Sequence, residues 1–134
     1  MELCHESLRS FSLKRRRHEG YDLSEVEIRG IMRDACLGLS ELHSKGIVHL
    51  DIKPENILRS MQGKFKIGDL GMARLLTQIV EDHEFPEGDC RYLAKELLND
   101  DPSVPIPDLT KADIFALGMV TYELIQGVSL DKNG

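Results

Sequence analysis

The chain has 134 residues, 41% of them hydrophobic and 30% charged, with a formal net charge of −6. That is the length of one domain with enough apolar residues for a core, which excludes a disordered chain. The acidic balance argues against nucleic acid as a partner, and the uncharged run Ile114 to Tyr122 is far too short to span a bilayer. Cys4, Cys36 and Cys90 are odd in number, widely spaced and without a CxxC pair. They point to a reducing, intracellular compartment with neither a disulfide framework nor a zinc site. No signal peptide opens the chain.

Met1 to Leu8 is a short mixed stretch, followed by the basic run Lys14 to His18, which reads as a solvated loop or helix end rather than a docking patch. Leu23 to His43 predicts a long amphipathic helix: Ile28, Ile31, Met32, Ala35, Leu39 and Leu42 recur at three- and four-residue steps. Ser24 with Glu27 makes a capping-box start, and Gly46 a stop. Ile47-Val48-His49 is a short strand. Ile57-Leu58 and Phe65-Lys66-Ile67 form a hairpin around the turn Met61 to Lys64. Leu75 to Arg91 has little periodicity and many charges, so it reads as a loop. Asp101 to Pro107, with three prolines, is a second connector. Thr110 to Gln126 predicts a helix with Thr110 as its N-cap. Its apolar residues cover almost every face, as in a helix at the middle of a protein.

Between the first strand and the hairpin lies HLDIKPENI, His49 to Ile57, which crowds two carboxylates, a lysine, an amide and a proline into nine positions. Asp51 and Asn56 stand at the spacing D-x-x-x-x-N, and Asp69 follows the second hairpin strand in Gly68-Asp69-Leu70-Gly71. One carboxylate on such a loop can orient and deprotonate a hydroxyl. A second carboxylate and an amide oxygen are hard ligands suited to magnesium. Lys53 can neutralise charge on a phosphate in transit. A base, a cation and oxygen ligands together are what phosphoryl transfer requires. The plain alternative is two unrelated Asx turns, against which stands the ordered placement of both around one hairpin.

HLDIKPEN resembles the protein-kinase catalytic loop, and Asp69-Leu70-Gly71 resembles its magnesium-binding motif. LAKE, Leu93 to Glu96, resembles the end of the activation segment, and KADIFALG, Lys111 to Gly118, the start of the central helix of the large lobe. MELC-x-x-SL, IVHLDIKPENI, FKIGDLG and above all EGDCRYLAKELL, Glu87 to Leu98, are similar to the Wee/Myt kinases, inhibitors of cyclin-dependent kinases in the cell cycle. The resemblance runs from about Met1 to Gly127. It implies an α+β fold: the mainly helical large lobe of a kinase with a small β-hairpin, residues 1–134 being a partial kinase domain that lacks the small lobe. It makes Asp51 the base, and Lys53 the group that steadies the γ-phosphate of ATP. Asn56 and Asp69 would be the ligands of Mg2+, and Glu2 and Cys4 the hinge residues whose backbone meets the nucleotide. Asp113 would brace the catalytic loop through its backbone, and His49 would be buried and hydrogen-bonded behind it.

The implied partner is a protein substrate, a cyclin-dependent kinase, in the nucleus or cytoplasm, with no nucleic acid and no membrane segment in this chain. Two departures stand out. The arginine usual before the catalytic aspartate is Leu50, as in the Wee/Myt group, so activation-loop phosphorylation loses its anchor. The proline of the A-P-E motif is Lys95, with Glu96 left to make its usual ion pair. Met1 falls at the gatekeeper position, so the resemblance has the chain begin in the hinge, without a glycine-rich loop, and end just after the central helix. The alternative function is therefore a catalytically incompetent fragment acting as a binding module.

Overall fold

The computed structural model describes residues 3–20, 22–82, 88–98, 103 and 105–130. Among these residues, two small antiparallel sheets and four α-helices are laid around the catalytic-loop sequence. Strand β1 (Cys4–Ser7) leads into helix α1 (Leu8–Lys14), whose N-cap Ser7 accepts from Ser10 N–H. A π-helical turn over Arg15–Glu19 ends it at Gly20. The basic run is thus a helix end. Lys14 pairs with Glu6, Arg15 with Glu19 and Glu27, and Arg16 with Asp22, so most of its charge is met from within.

Helix α2 (Glu25–Ser44) starts on the predicted capping box, with Ser24 and Glu27 bonding each other's backbone N–H. That satisfies two of the N–H groups a helix start leaves open. Ile28, Ile31, Ala35 and Leu39 are its buried stripe, while Val26 and Leu37 face solvent. The chain leaves α2 through Gly46 at φ +69°. Strand β2 (Ile47–Val48) follows.

The hairpin is β3 (Ile57–Ser60) and β4 (Phe65–Ile67), in register Ile57↔Ile67 and Arg59↔Phe65. Strand β1 pairs with the other edge of β3, Ser7 opposite Leu58, giving the order β1-β3-β4. Helix α2 lies directly on β4. At Gly38 an added Cβ would sit 2.9 Å from Ile67 Cγ1, so glycine there permits the close approach.

Residues 75–82 depart from the predicted loop. Strand β5 (Arg74–Leu75) pairs with β2, and helix α3 (Leu76–Asp82) follows directly. Leu76 N–H donates to Gly46 O at 2.8 Å, which ties the start of α3 to the α2–β2 turn. Two turns of helix with Leu76 and Ile79 turned inward are too short to register as a period.

Helix α4 (Leu109–Gln126) confirms the predicted central helix but corrects its cap. Asp108 is the N-cap, and the Thr110 N–H and hydroxyl both donate to its Oδ1. Aspartate outranks threonine in that role, and here the two share one cap. Leu117, Val120 and Leu124 join α2, β3 and Leu8 in the main core. Val48, Leu50, Ile79 and Leu109 make a second cluster. Ile114, Phe115, Tyr122 and Ile125 stay exposed, so the all-round apolar character of α4 is half used within the described residues.

Candidate active site

The catalytic-loop sequence leaves β2 and turns sharply. Leu50 has φ +62°, a left-handed backbone that costs a non-glycine residue about 1–2 kcal/mol. What holds it is Asp113 of α4, 1% exposed, which accepts from Leu50 N–H at 2.8 Å and His49 N–H at 2.9 Å. The same carboxylate meets His43 Nε2 of α2 at 2.8 Å. One buried side chain therefore ties the long helix, the central helix and the loop together.

His49 is fully buried. Its Nε2 lies 2.8 Å from Gly68 O, which can only accept, so that nitrogen carries the proton. Its Nδ1 then accepts from Asp51 N–H at 3.2 Å. The ring thus spans from the loop to the residue before Asp69. Gly68 N–H returns a bond to Asn56 O at 2.8 Å, and an added Cβ on Gly68 would meet Leu58 Cδ1 at 2.5 Å. A larger residue there would have to push the Leu58 side chain aside.

Asp51, Lys53 and Asn56 are brought together. Asn56 Nδ2 donates to Asp51 O at 2.8 Å and to Asp51 Oδ2 at 2.9 Å, closing the loop on itself. Its amide nitrogen is thereby committed and its oxygen left for another partner. Lys53 Nζ lies 3.3 Å from Asp51 Oδ1. The 3-10 turn Pro54–Asn56 aims Asn56 inward, with Pro54 fixing its first residue. Asp69 is exposed at φ +54° and caps a second 3-10 turn, Leu70–Met72, with Oδ1 accepting from Gly71 N–H at 3.2 Å. Asn56 and Asp69 offer oxygen donors on adjoining segments, a set that fits magnesium, which takes one or two protein oxygens and completes its shell with water and phosphate. Cys4 lies in β1 opposite Ser60, half-buried, and Glu2 lies outside the described residues.

A second layer, which reaches this loop from the stretch before Leu93, was only partly legible. Gly88 packs so closely that an added Cβ would sit 2.6 Å from Leu50 O. Asp89 is gripped by a fork from Arg91, with Nε at 2.9 Å and Nη2 at 2.7 Å, and lies 3.9 Å from Lys53 Nζ. The Arg91 fork, against the opposing effect of burial, holds the Asp89 carboxyl down at about 2. Arg91 Nη2 is 4.0 Å from Glu55 Oε1, and Glu55 in turn takes Arg9 Nε at 3.1 Å. Arg9 Nη2 reaches Tyr92 Oη at 2.9 Å and Glu123 Oε2 at 3.1 Å. Burial, then a hydrogen bond to Glu123, pushes the Tyr92 phenol well above its ordinary value. Charges alternate in sign along the whole path: Asp51, Lys53, Asp89, Arg91, Glu55, Arg9, Glu123. Glu87 lies outside the described residues. Glu96 is exposed in the 3-10 turn Lys95–Leu98, and no ion pair to it is seen among the described residues.

The family model of the protein kinase domain matches residues 1–133. The chain belongs to the protein kinase family. Within that family it is similar to a Wee1-like protein kinase of Arabidopsis thaliana, 40% identical over 133 residues, covering 99% of this chain and 24% of that protein. It is similar to the mitosis inhibitor protein kinase SWE1 of Candida albicans, 40% identical over 114 residues, 85% of this chain and 9% of that one. The membrane-associated tyrosine- and threonine-specific cdc2-inhibitory kinase wee-1.3 of Caenorhabditis elegans is 35% identical over 133 residues, 99% of this chain and 18% of that one. The chain thus spans a quarter or less of the length of these kinases, and the part it spans has the architecture of the helical large lobe. No helix among its described residues is long and apolar enough to cross a membrane.

Proposed function

We propose that these residues are the phosphoryl-transfer face of a Wee-type protein kinase that inhibits a cyclin-dependent kinase by phosphorylating it. The observation that carries the proposal is the closed loop in which Asn56 and Lys53 both engage the Asp51 carboxylate while Asp69 lies on the adjoining segment. The substrate class rests on the mitosis-inhibitory relatives and on the EGDCRYLAKELL similarity. The site of action is intracellular, in the nucleus or cytoplasm.

Asp51 accepts the proton of the substrate hydroxyl as that oxygen attacks the γ-phosphorus of ATP and ADP leaves. Asn56 fixes the rotamer of Asp51, so the base is pre-oriented rather than free to turn. Lys53 stands beside the same carboxylate and meets the charge on the phosphoryl group in flight. Asn56 and Asp69 would hold magnesium through oxygen, and the ion would supply positive charge to offset that of the phosphates. Glu2 and Cys4 serve the nucleotide through the hinge backbone. Leu50 offers nothing to an activation-loop phosphate, and the Asp89–Arg91 fork gives that segment an unmodified anchor.

The test compares Asp51→Asn with the parent in the full-length protein that carries this sequence. Labelled phosphate transfer to a cyclin-dependent kinase should fall by at least about a thousandfold, within the range general-base removal commands, while nucleotide affinity stays. Turnover near the parent's would remove Asp51 from the role.

A further inference from the structure

Gly30 interrupts α2 in its second turn, where glycine weakens a helix relative to alanine. Internal packing does not ask for it: unlike at Gly38, a Cβ added at Gly30 would meet no atom within 4 Å. What Gly30 does is leave open one wall of a crevice of about 350 Å³ between α1, the first half of α2 and the hairpin turn. Phe11, Ile31 and Phe65 form its apolar floor, with the two phenylalanine rings 5.6 Å apart and tilted by 60°. The rim carries uncommitted positive charge. Arg33 is 68% exposed and reaches Asp34 only at 3.7 Å. Lys64 is exposed, and no ion pair to it is seen among the described residues. Arg59 gives Nη1 to Glu6 and lies over the Phe11 ring at 4.6 Å, while its Nη2 stands beside the Gly63 turn. The carboxylates of the rim are already engaged, Glu27 with the Ser24 N–H and Arg15, Asp34 with the Phe65 N–H. In a chain of net charge −6, such a patch selects for negative charge locally.

We propose that this crevice docks an acidic segment of the protein substrate, one aromatic side chain of which sits on Phe11, Ile31 and Phe65 while its flanking carboxylates meet Arg33, Arg59 and Lys64. The inference rests on the kinase reading above, which makes the partner a substrate. Apolar burial holds the anchor, and charge-assisted bonds align the segment around it. The crevice lies at the turn end of the β3–β4 hairpin, whereas Asn56 and its partner Asp51 lie at the other end. The four residues of β3 separate them, about 13 Å of strand. Docking therefore raises the local concentration of the acceptor hydroxyl without touching the reacting atoms. It also accounts for Gly30, since a longer side chain there would stand in the space the anchor needs.

The experiment uses the full-length protein that carries this sequence and a fluorescein-labelled peptide with one phenylalanine set among glutamates. Two control peptides replace the glutamates by lysines or the phenylalanine by alanine. Anisotropy reads binding without turnover. The acidic peptide should bind at least about tenfold tighter than the lysine peptide, and its affinity should fall as salt is raised. Removing its phenylalanine should weaken it about fivefold or more. Gly30→Leu should weaken the acidic peptide by about tenfold or more, as should Arg33→Glu combined with Lys64→Glu, while Gly30→Ala stays within about twofold of the unsubstituted protein. Joined to a tyrosine peptide through a flexible linker of about ten residues, the acidic segment should lower KM and leave kcat unchanged. Gly30→Leu should remove that gain and leave transfer to the plain tyrosine peptide intact. Equal binding of the acidic and lysine peptides would overturn the proposal, as would binding that neither Gly30→Leu nor the charge reversal moves, or an unchanged KM for the joined substrate. It would also be overturned if those variants abolished self-association, or sedimentation with phosphatidylserine vesicles, while the acidic peptide failed to bind. Phosphate transfer to no peptide at all, with the anisotropy pattern intact, would refute the kinase reading alone.

Discussion

Replacing Asp113 with alanine removes the one acceptor that holds the turn beneath Asp51. Two buried N–H groups, of His49 and Leu50, lose their partner, and the His43 ring loses a third bond. An orphaned buried donor costs about 1–3 kcal/mol, so the two backbone groups alone set a scale of roughly 2–6 kcal/mol. Removing a buried carboxylate returns part of its desolvation, and Leu50 can relax from φ +62°, giving back about 1–2 kcal/mol. The net loss should be about 3 kcal/mol, a large part of a domain's margin. With a urea slope of about 1–3 kcal/mol per molar, the midpoint should fall by roughly 1–3 M. Asp113→Asn keeps one oxygen and should fall between the two. Phosphate transfer should drop more than stability explains, because Asp51 follows directly on the released residues. An alanine variant with an unchanged midpoint and undiminished transfer would show that the turn is held by something else.

Asp69→Ala should weaken magnesium-dependent nucleotide binding by about tenfold or more, since it removes a charged oxygen ligand; unchanged affinity by calorimetry in magnesium would count against its role. Asp89 sits at about 2 in the fold against an ordinary 3.8. A depressed carboxyl stabilises above its unfolded value and loses that contribution as pH falls, here between about pH 4 and pH 2. Asp89→Asn should therefore flatten this part of the acid-unfolding profile, and an identical acid limb would contradict the fork. Phosphatase treatment of the active kinase should leave its turnover within about twofold, because Leu50 cannot pair with a phosphate by charge-assisted bonds; a large loss traced by mass spectrometry to Thr77 would reverse that reading.

Local chemistry made much of this legible. Ser24 and Glu27 are three residues apart, so their capping box could be read directly, and so could the hairpin around Met61 to Lys64. The cap of α4 was displaced by two residues because Asp108 and Thr110 are both good N-caps, and only packing chooses between them. Helix α3 was invisible because its order comes from Ile79 entering a cluster with Val48, Leu50 and Leu109, none of them a neighbour in sequence. Asp51, Lys53 and Asn56 were readable because six positions of one loop hold them all. The Arg9 layer was not. Nothing within α1 marks Arg9 as different from Lys14, and its contacts exist only once Glu55, Tyr92 and Glu123 have been folded against it.

Leu50 links both layers. It is 9% exposed and packs with Ile79, so the residue before Asp51 belongs to a hydrophobic cluster that includes the helix after β5. Burying a side chain of this size contributes about 1.5–3 kcal/mol. Strand β5 adds its pairing with β2, and Leu76 its bond to Gly46. Residues 74–79 are therefore held to the catalytic loop by apolar burial and backbone bonds, neither of which depends on a kinase acting first. At the other end of the same segment, Gly88 packs on Leu50 O and Arg91 locks Asp89. An arginine at position 50 would have to leave the cluster to reach a phosphate, and Ile79 would lose its neighbour. Apolar residue 50 and the Asp89–Arg91 fork are thus two parts of one arrangement. The first secures residues 74–79 and the second residues 88–91, and neither contact uses a modified residue.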